Sequence, residues 1–277
     1  MTELQLSTAI EELLVARNPR NMQLARAALE PGYYLRAAQY LQGIKDTIII
    51  GTGFPVTSTF ETDGPVGAIA LYDTLEALGA RPILACGPPL SDALIEDYRV
   101  LQLTARDLEA AAEQAREQLQ LLQPAAIISI ERPGLASDGR YYNMRGEDIT
   151  ARCAFFDPFL DHASCPTVAI GDGGNEIGMG NLWQHDSFRH APPPNACRTR
   201  THWTIPAGVS DWGAMALAAA YAHQRGDTSS LIPWTADRLE HALTQMVERA
   251  SAIDGCTLQP APTVDGLPFA TYAQPWD

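Results

Sequence analysis

The sequence predicts a three-layer α/β/α fold, in which helices cover both faces of a mostly parallel sheet. Short apolar runs rich in β-branched residues alternate with longer segments of helical periodicity. The 277-residue chain is 46% hydrophobic, which is enough for a full core. No linker, repeat or low-complexity segment divides it. We therefore expect a single α/β domain over residues 1–277, with a helical N-terminal cap at residues 1–43 and the core at residues 44–277.

The helices are predicted from apolar spacing together with start and stop signals. In the cap, Ile10 and Leu14 share one helical face, and Asn18-Pro19 interrupts the pattern before it resumes toward residue 43. Pro65 at a first helical position and Gly79 as a stop define the next helix. Thr104 and Asp107 resemble a helix-opening box. The core helices are expected at about 65–78, 104–122, 211–223 and 235–252.

The strands are predicted from short apolar runs between these helices. Their β-branched residues favour an extended backbone, and their lack of alternation favours burial on both faces. The expected strands are Thr47–Ile50, Pro82–Ala85, Ala125–Ile130, Val168–Ile170 and Thr201–Ile205. In a parallel sheet, the loops that follow the first, third and fourth of these can meet at one edge, where open α/β sheets bind their ligands.

Composition excludes several classes of partner and cofactor. The formal net charge is −14, so neither nucleic acid nor an anionic membrane is an expected partner, because both attract clustered cations. Lys45 is the sole lysine and lies in no motif, which disfavours a pyridoxal-phosphate enzyme. The five cysteines are scattered, and there is no signal-peptide pattern or apolar run of ~20 residues. These features predict a cytoplasmic protein. If it assembles, a homo-oligomer is expected.

The most informative segment is Gly171–Asn181, directly after the strand at Val168–Ile170. Its five glycines suit a sharp turn or a close approach to a ligand. Asp172, Asn175 and Glu176 offer oxygen ligands of the kind that Mg²⁺ and Mn²⁺ prefer. The ordinary structural alternative is that Asp172 caps a turn and Glu176 caps a helix.

Two further loops carry polar or glycine-rich motifs. In Glu61–Pro65, Asp63 stands where a helix N-cap belongs, whereas Glu61 has no capping explanation. In Gly51–Pro55, the two glycines Gly51 and Gly53 follow a strand and could cradle an anion. The chain has neither G-x-G-x-x-G nor G-K-[ST], so no nucleotide cofactor is expected.

The loop after the third strand concentrates arginine in a chain that is short of cations. Arg132, Arg140 and Arg145 lie within fourteen residues. Arginine binds carboxylates through two parallel hydrogen bonds, which favours an acidic small-molecule substrate. Charge pairing with a negative surface is the alternative.

Several of these segments, in this order, resemble one known family. The matching segments are Thr52–Val56, Glu61–Pro65, Ile130–Gly134, Tyr141–Gly146, Gly171–Asn181, Val209–Gly213, Asp254-Gly255 and Val264–Gly266. Over about residues 45–267 the chain looks like the C-terminal cyclase domain of the D-glutamate cyclase family. One departure is Asp211, where the family pattern has Asn, and this puts a polar contact in question.

The resemblance implies a lyase that converts D-glutamate to 5-oxo-D-proline and water with a divalent metal, Mn²⁺ in the first place and Mg²⁺ in the second. It implies that Asp172 and Glu176 bind the metal or divide the acid and base roles, and that Asp63 or Glu61 supplies a further carboxylate. Arg132 and Arg145 would then bind substrate carboxylates. The remaining predicted substrate-binding residues are Asn143, Asn175, Gly53, Gly173 and Gly174.

Two alternatives stay open beside the cyclase. Gly171–Glu176 also resembles the metal loop of haloacid-dehalogenase-type phosphatases, and Glu61–Gly64 resembles their nucleophile motif. However, Glu61 stands where the phosphorylated aspartate belongs, and Lys45 precedes both motifs instead of lying between them. The other alternative is a non-catalytic protein that binds a small amino acid on the same fold.

Overall fold

A computed structural model describes residues 1–17, 20–185 and 195–276, so the predicted break at Asn18-Pro19 lies outside the described residues. Six described strands form one sheet with the order β5-β4-β1-β6-β7-β8, and every pairing in it is parallel. Helices cover both faces. The predicted three-layer α/β/α fold with a mostly parallel sheet is therefore confirmed.

The strands are β1 (Thr47–Thr52), β2 (Pro55–Val56), β3 (Thr59–Phe60), β4 (Arg81–Cys86), β5 (Val100–Gln102), β6 (Ala126–Ile130), β7 (Thr167–Gly171) and β8 (Trp203–Pro206). The α-helices are α1 (Glu3–Leu14), α2 (Met22–Ala27), α3 (Tyr33–Leu41), α4 (Pro65–Ala77), α5 (Leu90–Leu94), α6 (Leu108–Leu122), α7 (Asp157–Asp161), α8 (Ser210–Gln224), α9 (Ala236–Ala250) and α10 (Phe269–Tyr272). Among the described residues, no helix is long and apolar enough to cross a bilayer.

The central strand β1 contributes side chains to two hydrophobic cores, one on each face of the sheet. Ile48 and Ile50 point into the larger core, where α3, α4, α8 and α9 pack, and Ile49 points into the smaller one, beneath α6 and α7. All three side chains are buried, as expected for a strand covered on both faces.

Two features of the sheet were not predicted. Strand β5 is three half-buried residues at the sheet edge, too short to leave a periodic pattern. Strands β2 and β3 pair in an antiparallel hairpin of two residues each, and the N–H of Glu61 then donates to the carbonyl of Phe54. This hairpin brings the chain back beside the end of β1.

The N-terminal helices are joined closely to the rest of the structure. Tyr34, Ala37 and Leu41 of α3 are fully buried in the larger core, and α3 packs on α8. Helix α1 begins with a capping box, in which Thr2 and Gln5 exchange hydrogen bonds. The buried Glu11 then accepts hydrogen bonds from Ser7 and from the N–H of Gly32, which ties α1 to α3.

Strands β1, β6 and β7 are neighbours in the sheet and run in the same direction. Their carboxyl ends therefore lie side by side, as predicted for the loops after the first, third and fourth strands. The glycine-rich loop, the Glu131-Arg132 loop and the loop at Gly53 meet at this edge.

Candidate active site

A cavity of about 290 Å³ opens at this edge of the sheet. Open α/β sheets bind their ligands in such a position. Its wall combines acidic, basic and apolar side chains. The acidic ones are Glu61, Glu131, Glu147, Asp172, Glu176 and Asp265; the arginines are Arg20, Arg145 and Arg152; the apolar ones are Phe54, Pro55, Val56, Met144 and Leu258.

Asp172 and Glu176 are both buried in the loop after β7, and both line the cavity. Oε2 of Glu176 accepts a hydrogen bond of 2.6 Å from the N–H of Gly174, whose φ of +101° favours glycine. A Cβ on Gly173 would lie 2.7 Å from Oε1 of the same carboxylate. The glycines of this loop therefore make room for a buried carboxylate and one of them supplies a donor to it.

The loops after β6 and β7 are bonded to each other through their backbones. The N–H of Gly134 donates to the carbonyl of Asn175, and the N–H of Ile177 donates to the carbonyl of Arg132, each at 2.9 Å. Because Asn175 and Ile177 flank Glu176, these bonds hold Glu176 against the loop after β6. The adjoining side chain of Asn175 donates to the carbonyl of Tyr142 at 2.9 Å.

Asp63 is a helix cap, but of a different helix from the one its position in the sequence predicts. Helix α4 has Gly64 as its N-cap and no side-chain cap. The carboxylate of Asp63 instead accepts the N–H groups of Ser210 and Asp211, each at 2.8 Å, at the first turn of α8. An anion is stabilised there by the free N–H groups and the helix dipole.

Asp211, in turn, accepts hydrogen bonds from the start of α4. Its Oδ1 accepts the N–H groups of Gly64 at 3.0 Å and Gly67 at 2.6 Å, at the start of α4, and its Oδ2 accepts the hydroxyl of Tyr272. Burial raises the pKa of Asp211 to about 6. At the position where the family pattern has Asn, the carboxylate therefore makes three hydrogen bonds.

Glu131 is a buried residue at the end of β6 that sequence reasoning noted only as the start of the arginine motif. Its φ of +46° lies in the left-handed region, which is uncommon outside glycine. Its Oε2 accepts a hydrogen bond of 2.5 Å from the hydroxyl of Ser210. A Cβ on Gly64 would lie 2.7 Å from its own Cβ, so a glycine is needed beside it. Its position after a buried strand, like that of Asp172, was the available signal.

Three carboxylates converge beside the cavity, and two of them, Glu131 and Asp172, line it. One oxygen from each of Asp63, Glu131 and Asp172 lies within 4.8 Å of the others, and all three residues are buried. Burial raises the pKa of each, and for Asp172 the charge of Arg20 opposes this rise. Three hard oxygen donors in this arrangement could hold a divalent cation, whose charge would offset their mutual repulsion. Of the two predicted metal ligands, Asp172 belongs to this group, whereas Glu176 lies outside it.

Glu61 lines the cavity from the end of the β2–β3 hairpin and is half-buried. Desolvation raises the pKa of Glu61 well above its ordinary value, and the charge of Asp265 adds to this rise. A Cβ on Gly255 would overlap Oε2 of Glu61. The predicted catalytic carboxylates Asp63, Glu61, Asp172 and Glu176 therefore lie in one region, together with Glu131.

Arg20 and Asp265 adjoin these carboxylates, and the sequence predicted a role for neither residue. Arg20 donates to Oδ2 of Asp172 at 2.5 Å and to both oxygens of Asp265, at 2.6 and 2.9 Å. Burial alone would lower the pKa of Arg20, but the charges of Asp172 and Asp265 outweigh it and raise the pKa. Asp265 could have been found in the matching Val264–Gly266 segment, whereas Arg20 lies in no motif.

Four predicted substrate-binding residues line the cavity: Arg145, Asn143, Asn175 and Gly173. The side chain of Arg145 is exposed at the rim, and its guanidinium donates to the carbonyl of Cys256 at 3.4 Å. Its exposed side chain contrasts with the buried carboxylates of Glu131, Asp172 and Glu176.

The described residues that line the cavity do not include Arg132, Gly53 or Gly174. The buried guanidinium of Arg132 donates to the carbonyls of Thr52, Gly53 and Ala154. Arg132 therefore links the loops after β1 and β6 through hydrogen bonds instead of lining the cavity. Gly53 has a φ of +95° and turns the chain toward β2.

Uncommon backbone conformations are concentrated around the cavity. Four non-glycine residues that line it have φ between +46° and +59°: Thr57, Glu131, Leu258 and Asp265. Such conformations cost of order 1–3 kcal/mol each and are kept where the surrounding structure imposes them, often at functional sites. Their distribution supports a functional role for the cavity.

Comparison with known proteins identifies the family. Residues 10–275 match the family described as D-glutamate cyclase-like, C-terminal. The chain is also 32% identical over 209 residues to a human protein named D-glutamate cyclase, mitochondrial. That match covers 63% of this chain and 32% of the human protein, so the chain spans about a third of its relative's length. The family match extends over nearly the whole chain, and the chain therefore belongs to the D-glutamate cyclase-like family.

Proposed function

We propose that this protein converts D-glutamate to 5-oxo-D-proline and water, assisted by a divalent metal, with Mn²⁺ favoured and Mg²⁺ as the second choice. Membership of the family and the name of the human relative support the substrate class. The observation that carries the proposal is the buried group of Asp63, Glu131 and Asp172, which meets a cavity of about 290 Å³. That volume is of the size that small-molecule sites have.

The reaction requires three chemical operations. The substrate ammonium loses two protons in all, and its nitrogen bonds to the γ-carboxyl carbon. The bond from that carbon to one oxygen breaks as this oxygen takes up two protons and leaves as water. The divalent cation that the three carboxylates would hold supplies Lewis-acid polarisation of the γ-carboxyl group. The protein side chains must then provide the base, the acid and the orientation.

We assign the base to Glu176. Burial raises the pKa of its carboxyl group above the ordinary value, which makes the carboxylate a stronger base, and the N–H of Gly174 donates to the ionised form. We assign the acid to Glu61, which lines the cavity outside the three-carboxylate group. Both residues were predicted to be catalytic, and the division of roles is our proposal. It is supported by their positions on the cavity wall.

Arg145 is proposed to bind the substrate α-carboxylate, with Asn143 beside it at the rim. Arg152 also lines the cavity and could take the role predicted for Arg132, whose two terminal nitrogens donate to backbone carbonyls. The cavity wall carries both carboxylates and arginines, which suits a small amino acid with an ammonium and two carboxylates. This supports an acidic amino acid over an uncharged one.

The proposal is tested by 5-oxoproline formation from D-glutamate, with and without Mn²⁺, with L-glutamate as the control. Asp172→Ala should abolish turnover while the circular dichroism spectrum stays that of the wild type, because one metal ligand is lost. Wild-type turnover by this variant would contradict the assignment. D-glutamate binding without turnover by the wild type would instead favour a non-catalytic binding protein, and release of phosphate from an aryl phosphate would favour the phosphatase.

Two further expectations stay predictions. The human relative is named as mitochondrial, whereas we propose a cytoplasmic location for this chain. Cell fractionation would test the location, and the mass of the purified protein in solution would test the homo-oligomer.

A further inference from the structure

We infer that Arg20 is a positioning residue of the metal site, which holds the carboxylate of Asp172 in the orientation that metal binding needs. This inference rests on the proposed function. Arg20 follows α1, 152 residues before Asp172 and 245 before Asp265. It is thus a contribution of the N-terminal helical segment to a site otherwise formed by loops of the core.

The contacts of Arg20 use the shape of the guanidinium. One nitrogen, Nη1, donates both to Oδ2 of Asp172 at 2.5 Å and to Oδ2 of Asp265 at 2.9 Å. The second, Nη2, donates to Oδ1 of Asp265 at 2.6 Å. Asp265 therefore receives a bidentate pair, and Asp172 receives a single bond from a group whose direction that pair has already fixed.

Asp265 is in turn held by its own loop. The carboxylate of Asp254 accepts the N–H of Gly266 at 2.8 Å and the hydroxyl of Thr263 at 2.6 Å, on either side of Asp265. Asp265 itself has a φ of +54°. This arrangement fixes the carboxylate from the C-terminal side, so that Arg20 is anchored at Asp265 and reaches Asp172 from there.

Fixing one oxygen of Asp172 also fixes the direction of the other, because the carboxylate is planar. Arg20 is 15% exposed and Asp172 4%, so water competes little for these bonds. A residue that holds a metal ligand without touching the metal commonly changes metal affinity about 10- to 100-fold when it is removed. Lysine has a similar charge but no planar fork, and it could not bond both carboxylates in the same way.

The test is the Mn²⁺ dissociation constant of the purified full-length protein, measured by calorimetry without substrate. Arg20→Ala should weaken Mn²⁺ binding about 10- to 100-fold, and Arg20→Lys should lie between this variant and the wild type. Asp265→Asn should also weaken binding, because it removes the bidentate partner. Arg36→Ala is the matched control, since Arg36 belongs to the same N-terminal segment and donates to the carbonyls of Glu30 and Pro31.

Each result has a defined reading. If Arg20→Ala binds Mn²⁺ as tightly as the wild type or more tightly, the inference is overturned and the proposed function stands. If the wild type binds no Mn²⁺, the proposed metal site fails and the inference fails with it. Should Arg20→Ala not fold, as judged by its circular dichroism spectrum, Arg20→Lys and Asp265→Asn decide the matter: unchanged affinity in both would overturn the inference.

Discussion

Three glycines adjoin acidic side chains of this site, and their role is steric. Gly64 lies against Glu131, Gly173 against Glu176, and Gly255 against Glu61. At each position a methyl group would lie closer to the acidic side chain than van der Waals contact allows. The glycine density of the loop after β7 was the first indication of a site, and the structure relates it to the space that acidic side chains need.

Gly255→Ala tests this steric effect alone. The backbone of Gly255 is not left-handed, so alanine adds no backbone strain there. The added methyl would displace the carboxylate of Glu61. We expect the rate of 5-oxoproline formation to fall about 100-fold, in line with a displacement of about 1 Å in a catalytic group. Gly43→Ala is the control, since its methyl would meet open space. Equal rates for the two variants would show that Glu61 has no part in the reaction.

At the scale of elements, helices α4 and α8 cap each other through Asp63 and Asp211. Each carboxylate stands at the start of one helix and accepts backbone N–H groups at the start of the other. The two helices also pack along their length in the larger core. Asp63 therefore connects the packing of the helical layer to the three-carboxylate group, and the helix pair fixes the position of one predicted catalytic carboxylate.

Asp211→Ala should lower the free energy of unfolding by about 3 kcal/mol, because two buried N–H groups and the hydroxyl of Tyr272 lose their acceptor. Asp211→Asn should cost less, since an amide oxygen can still accept the N–H groups of Gly64 and Gly67. Urea unfolding of both variants measures the difference. Equal losses for the two would mean that the helix caps contribute little.

At the scale of the whole molecule, Asp157 joins three separate segments on the side of the smaller core. Its carboxylate accepts the N–H of Leu135, the hydroxyl of Tyr141 and the hydroxyl of Thr199. It opens the short helix α7, whose Phe159 is fully buried. Asp157 thereby holds the loop after β6 to the segment that precedes β8.

Burial raises the pKa of Asp157 above its ordinary value. The folded protein therefore holds this proton more tightly than the unfolded chain, where the pKa is about 3.9. The resulting stability is present below about pH 4 and is lost as the pH rises through the folded pKa. Relative to Asp157→Asn, which does not titrate, the wild type should lose free energy of unfolding as the pH rises from about 4 through the raised pKa of the folded state. A constant difference over that range in urea unfolding would contradict the raised pKa.

The sequence allowed prediction of what depends on neighbours along the chain. Strands β1, β6 and β7 are apolar runs, and Asp172 follows one of them directly, so both the sheet edge and the acidic loop were predictable. The partners of Arg132 and Arg20 were not. Arg132 reaches a carbonyl 80 residues away, and Arg20 reaches a carboxylate 152 residues away. Neither distance leaves a periodic or local pattern, so Arg132 was expected at the substrate and Arg20 was not considered.

The distance in sequence between Arg20 and Asp265 also limits how this protein can be cut or joined. The contact joins Arg20 near the N-terminus to Asp172 in the glycine-rich loop and to Asp265 near the C-terminus. A fragment that starts after α2 or stops before residue 265 would retain most of the sheet but lose one side of this contact. Truncated forms, split forms and fusions of the protein should therefore keep residues 20–265 together, even where the sheet alone would suggest a shorter boundary.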